Sequence, residues 1–115
     1  MVFGKHYIVD YIDCDKNIIN SIKKIEKIML DVALEINASV VSSNFNMFYP
    51  YGVSGVLIIA ESHFTVHTWV EEGFVAIDMF VCDLDMDLDK AVELFKNKLK
   101  AKTFKIKKIK RDDDL

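Results

Sequence analysis

Between Glu61 and Gly73 the chain reads ESHFTVHTWVEEG. Two imidazoles, a serine hydroxyl, an indole and three carboxylates fall within this short segment, and several chemistries use such groups. His63 and His67 could share a metal ion if the segment were helical, because helix residues four apart sit about 6 Å from each other. The β-branched and aromatic content of FTVHTWV favours a strand, where four residues span about 13 Å, too far for two ligands of one ion. No CxxC or HExxH accompanies them, so no metal is expected. A serine hydrolase would need a G-x-S-x-G elbow, of which Val53–Gly55 (VSG) is only a fragment. A cysteine hydrolase would need Cys82 beside His67, which depends on strand register.

Strand alternation puts His63, Thr65, His67, Trp69 and Glu71 on one face, and Phe64, Val66, Thr68 and Val70 on the other. If the chain turns back around Glu72 and Gly73, Phe74, Ala76, Asp78, Phe80 and Cys82 join the first face. A half-buried face with imidazoles, a thiol and carboxylates has the makings of a site. A slip or bulge of one residue would break the grouping.

The elements that must carry these groups can be read along the chain. Lys5–Asp13 reads as a strand. Asp15 can cap a helix whose apolar stripe is Ile18, Ile22, Ile25, Met29, Val32 and Ile36, with lysines toward water. Ala38–Ser42 is a second strand, 45–51 (FNMFYPY) an aromatic segment around the only proline, and Gly52–Ala60 a buried strand. Gly55 within it marks a bulge or a close approach. Phe64–Trp69 and Phe74–Val81 form a hairpin. Asp87 or Asp89 opens a second helix with Leu88, Val92, Phe95 and Leu99 on one side, and Phe104–Ile109 is an edge strand. The order β-α-β-β-β-β-α-β predicts a two-layer α+β domain, with an antiparallel sheet carrying two helices on one face. No helix remains to cover the other face, so self-association through it is expected.

Composition bounds the rest. The 115 residues suit one domain, and 51% hydrophobic with 29% charged residues is a globular composition. No apolar run reaches the ~18 residues of a membrane span, and no signal peptide is evident, so a cytoplasmic location is expected. The net charge of −3 gives no basic excess for nucleic acid, and the run KIKKIKR at 105–111, followed by DDD, reads as a solvated edge. Cys14 and Cys82 are expected to be free thiols.

The runs PYGVSGVLIIAESHFTVHTW and EEGFVAIDMFVC, with GKHYIVDYIDCD upstream, closely resemble the prokaryotic S-adenosylmethionine decarboxylase proenzymes over nearly the whole chain. The resemblance implies that the chain cuts itself between Glu61 and Ser62. The serine hydroxyl attacks the preceding carbonyl, the ester eliminates to dehydroalanine, and hydrolysis releases ammonia and leaves a pyruvoyl group. Residues 1–61 would become a β chain and 62–115 an α chain capped by pyruvoyl. A ketone at a chain end can form a Schiff base with the substrate amine and accept the electrons left by carbon dioxide, with neither pyridoxal phosphate nor metal. By the same resemblance, His67 transfers protons during self-cleavage, Ser54 assists it, and Cys82 returns a proton to the product. Phe48 and Trp69 contact the substrate, S-adenosylmethionine, and Glu71 holds its ribose. The protomers would pair at least as dimers with sheets face to face, a four-layer αββα arrangement. Phe48 would then serve the neighbour's pyruvoyl. The product would donate aminopropyl groups in polyamine synthesis, including that of spermidine.

Two positions depart from the family pattern. Val70 stands where HTWPE has proline, and Asp83 stands where glycine commonly follows the cysteine. Both touch the substrate side. The rival readings are a pyruvoyl-dependent arginine or ornithine decarboxylase on the same scaffold, and an uncleaved regulatory paralogue.

Overall fold

The computed structural model describes residues 1–114. Six strands, β1 (Val2–Ile12), β2 (Val40–Met47), β3 (Val53–Ile59), β4 (Ser62–Trp69), β5 (Phe74–Val81) and β6 (Thr103–Asp112), form one sheet in the order β2-β3-β4-β5-β1-β6. Each neighbouring pair is antiparallel. Three helices, α1 (Lys16–Ile19), α2 (Ile22–Glu35) and α3 (Leu88–Lys98), complete the α+β fold. The core lies between helices and sheet. Phe64 and Ile77 of the sheet and Ile25, Met29 and Phe95 of the helices are all but inaccessible to solvent. Tyr11 is buried there too, its ring edge-on to Phe95 and tilted against Phe104, and its hydroxyl donates to the Val92 carbonyl at 2.8 Å. A buried phenol needs such a partner.

The expected first helix is broken in two. Asp15 caps α1, its carboxylate accepting from the amides of Asn17 and Ile18 at 2.9 and 3.1 Å. Ser21 is extended and caps α2 by accepting from Lys24 N–H at 3.2 Å. A side chain that satisfies free amides at a helix start favours a new start. The break resets the helical phase, so Ile19 is buried and Ile18 only partly so. From Ile25 to Ile36 the expected stripe holds, with Ala33 added.

Strand β2 also runs further than expected, to Met47, because its pairing with β3 continues to Met47 opposite Val53. Of the aromatic segment only 48–51 lies outside the strands, and with Gly52 it forms the turn between β2 and β3. No bulge interrupts the pairing at Gly55, whose close-approach reading holds. A Cβ there would run into the Phe45 ring. The β3–β4 connection is the two-residue turn Ala60–Glu61, closed by the pairing of Ile59 with Ser62. The β4–β5 turn spans Val70 to Gly73, where Gly73 has φ +64° and its N–H meets the Val70 carbonyl at 3.1 Å.

The face of the sheet away from the helices is only partly screened. Ile58, Trp69 and Ile109 are exposed on it, while Phe80 is half-buried. No helix of the described residues is long and apolar enough to cross a membrane.

Candidate active site

The register sets which groups meet. Opposite β5, His63 pairs with Phe80, Thr65 with Asp78, His67 with Ala76, and Trp69 with Phe74. All of these lie on the open face, while Phe64, Val66 and Thr68 are buried toward the helices. The face assignment made from alternation therefore holds. Alternation does not give distance along the strand, and that proves decisive, because the groups fall into two clusters at opposite ends of the sheet.

The first cluster surrounds the Glu61–Ser62 bond. Ser62 opens β4 with φ +143°, in the region that non-glycine residues avoid. Tight hairpins favour turns with positive φ at their central residues, and neither Ala60 nor Glu61 supplies one, so the irregular backbone falls on Ser62. Backbone strain of this kind costs about 1–3 kcal/mol and gathers at functional sites. The pairing of Ser62 with Val81 brings the next residue beside the turn, and Cys82 N–H donates to the Glu61 carbonyl at 2.8 Å. That hydrogen bond polarises the carbonyl of the Glu61–Ser62 peptide. The Glu61 carboxylate is held in turn by Ser39 N–H at 3.0 Å. Cys82 itself is exposed. The Asp83 carboxylate turns away into the loop before α3, accepting from Asp85 N–H at 3.0 Å.

The second cluster lies about 17 Å along β4 from the first, five residues at the strand rise. Here Ser54 and His67 are direct cross-strand partners, and Ser54 Oγ shares a hydrogen bond with His67 Nδ1. The Trp69 ring stands edge-on to His67 at 4.4 Å between centroids, and Phe48 tilts over it at 6.1 Å. Phe48, His67 and Trp69, with Tyr51, Val70, Glu71 and Glu72, wall a cleft of about 250 Å³. Phe48, Tyr51 and Trp69 are each roughly half exposed, an unusual concentration of open aromatic surface. Val70 is buried at the back of this cleft.

His63 belongs to neither cluster. Its ring lies against Phe80, 5.7 Å between centroids, and His6 approaches the same ring edge-on at 6.0 Å. Nothing in the sequence pattern marked Tyr51, Ser39 or the buried Thr68, which accepts from Val53 N–H at 2.9 Å. Tyr51 sits in the aromatic segment 45–51, but only the folded turn shows that it lines the cleft.

The fold and the polarised hairpin bond define a class first: a two-layer α+β domain with a strained Glu-Ser junction at one end of its sheet. The family profile for S-adenosylmethionine decarboxylase matches residues 5–112, and the chain belongs to that family. Among similar proteins is the S-adenosylmethionine decarboxylase proenzyme of Thermosipho africanus, 48% identical over 98 residues, which are 85% of this chain and 75% of that protein. The proenzyme of the same name from Pyrococcus horikoshii is 44% identical over 108 residues, 94% of this chain and 78% of that one. The crystal structure of the adenosylmethionine decarboxylase from Aquifex aeolicus superposes with a TM-score of 0.89 at 25% identity, covering 96% of this chain and 91% of that one.

Proposed function

We propose that this chain is a self-cleaving S-adenosylmethionine decarboxylase, assembled so that each active site draws on two copies. Family membership supports the reaction. The observation that carries the reading of the site is the hydrogen bond from Cys82 N–H to the Glu61 carbonyl, the peptide group that precedes the strained Ser62.

In self-cleavage, Ser62 Oγ attacks the Glu61 carbonyl carbon. Negative charge develops on the oxygen that already accepts the Cys82 N–H, and a donor placed in advance of the charge is the most effective kind. The C–N bond breaks as the ester forms, and the nitrogen takes a proton. Loss of the Ser62 α-proton then expels the Glu61 carboxylate, and water converts the remaining dehydroalanine to a ketone and ammonia. When formed, the ketone supplies the electron sink for loss of carbon dioxide.

Protons must move in the first step, and the imidazole suited to that is His67, positioned by Ser54. Within one chain it stands about 17 Å away. An isologous dimer whose open faces stack with strands reversed sets the His67 end of one copy over the Ser62 end of the other. Exposed Ile58, Trp69 and Ile109 would gain cover in that arrangement. The cleft of one copy then accepts the nucleoside: Phe48 and Trp69 stack on the base or face the sulfonium, and the Glu71 carboxylate takes ribose hydroxyls. Cys82 of the other copy, exposed beside Ser62, is placed to return a proton to the product carbon.

The test compares carbon dioxide release from carboxyl-labelled S-adenosylmethionine, arginine and ornithine by processed protein. Release from S-adenosylmethionine alone is expected. Release from arginine or ornithine instead would overturn the substrate assignment.

A further inference from the structure

The break between α1 and α2 has a use that helix stability alone does not explain. Asn20 ends α1, its backbone N–H returning to the Lys16 carbonyl at 3.1 Å. Its side chain leaves the helix, and Oδ1 accepts from Gly52 N–H at 3.1 Å, across 32 residues of sequence. An unbroken helix through position 20 would not end there to deliver this carboxamide. Gly52 closes the turn that carries Phe48 and Tyr51. It has φ +113°, and its carbonyl accepts from Phe48 N–H at 2.8 Å. The next residue is fixed separately, by Thr68 Oγ1 on Val53 N–H.

Three hydrogen bonds thus pin the aromatic turn: one within it, one to β4 and one to α1. Only the last comes from outside the neighbouring strands. Tyr51 lines both the cleft beside His67 and a second cavity of about 420 Å³ walled by Lys16, Asn20 and Glu71. The two cavities are neighbours that share Tyr51, Val70 and Glu71 as walls.

We propose that Asn20 is a positioning residue for substrate binding, holding the turn of residues 48–52 so that Phe48 and Tyr51 face the nucleoside across from Glu71. The proposal rests on the functional reading above. Asn20 acts through Gly52 and touches no reacting atom. Removing its acceptor leaves the buried Gly52 N–H without a partner, and the turn shifts to find water. Ser54 and His67 stay fixed by the β3–β4 ladder, so self-cleavage should continue.

The test uses the full chain as wild type, N20A and N20D. Hydrogen exchange at Gly52 is read first, because it needs no substrate. N20A should speed it by about tenfold or more, and N20D, which keeps an acceptor oxygen, should not. Steady-state kinetics on fully processed protein follow. N20A should raise KM for S-adenosylmethionine by about tenfold with kcat within about twofold, and N20D should restore KM. Unchanged exchange in N20A overturns the anchor. Faster exchange with unchanged KM overturns its role in binding, and so does an N20D protein as impaired as N20A. Processed wild-type protein that does not turn over S-adenosylmethionine overturns the functional reading instead, and the exchange comparison still decides the anchor.

Discussion

Two chains that each fail alone should succeed together. Ser62→Ala removes the attacking oxygen, and His67→Ala removes the imidazole at the far end of β4. Each variant by itself should stay whole. The two positions lie about 17 Å apart in one chain, far beyond the ~3 Å reach of a proton transfer. If sites form only between copies, a mixed dimer contains one site with both groups and one with neither. Equal amounts pairing at random make about half of all dimers mixed, so about half of the H67A chains, or about a quarter of all chains, should be cut. Mass spectrometry on denatured, co-expressed protein resolves this, with the S62A chain tagged. Every cut chain should carry the His67→Ala substitution. A mixture that stays whole although mixed dimers are present would refute the composite site. So would H67A protein that cuts itself at the wild-type rate.

Cys82→Ala keeps the backbone N–H on Glu61, so self-cleavage should persist while turnover falls by about a hundredfold or more, read by mass and by carbon dioxide release. Cys82 is exposed and should react with a thiol reagent in the native state, whereas Cys14 should react only after unfolding, because burial first and the Asp13 charge second push its thiol up to about 12. The neutral Cys14 thiol therefore stabilises the fold fully below its unfolded pKa of about 8.5, and the benefit is lost as pH rises from there toward the folded value; urea unfolding from pH 8 to 11 should show a shallower decline in Cys14→Ala. Phe64→Ala empties a fully buried site and should cost about 3–5 kcal/mol in the same assay. Gly55→Ala forces the Phe45 ring off β3 and should cost about 1–3 kcal/mol, with faster hydrogen exchange in β2.

The sheet was legible because its signals are local. Alternation from His63 to Trp69, the glycine turn at Gly73 and the caps at Asp15 and Asp87 each act within a few residues. The α1–α2 break was less so, because Ser21 is a weak mark inside a stripe of apolar residues that spans it. Parity put His67, Glu71 and Cys82 on one face and is silent about their spacing. The chain length between Ser62 and His67 already implied the gap, but only the confirmed strand makes it about 17 Å. The contacts of Asn20 with Gly52, and of Cys82 N–H with Glu61, join residues far apart in sequence and leave no periodic trace. The roles expected of Ser54, Phe48 and Glu71 rest on the resemblance, because a strand serine or a turn phenylalanine looks the same with or without a substrate.

The most direct test of the central claim is the denatured mass of freshly purified wild-type protein. Two fragments, Met1–Glu61 and a second starting at position 62 with a ketone in place of its amine and reactive toward carbonyl reagents, are the predicted result. A single intact chain of 13.2 kDa, stable for days and inert to those reagents, would contradict self-cleavage and the decarboxylase reading built on it.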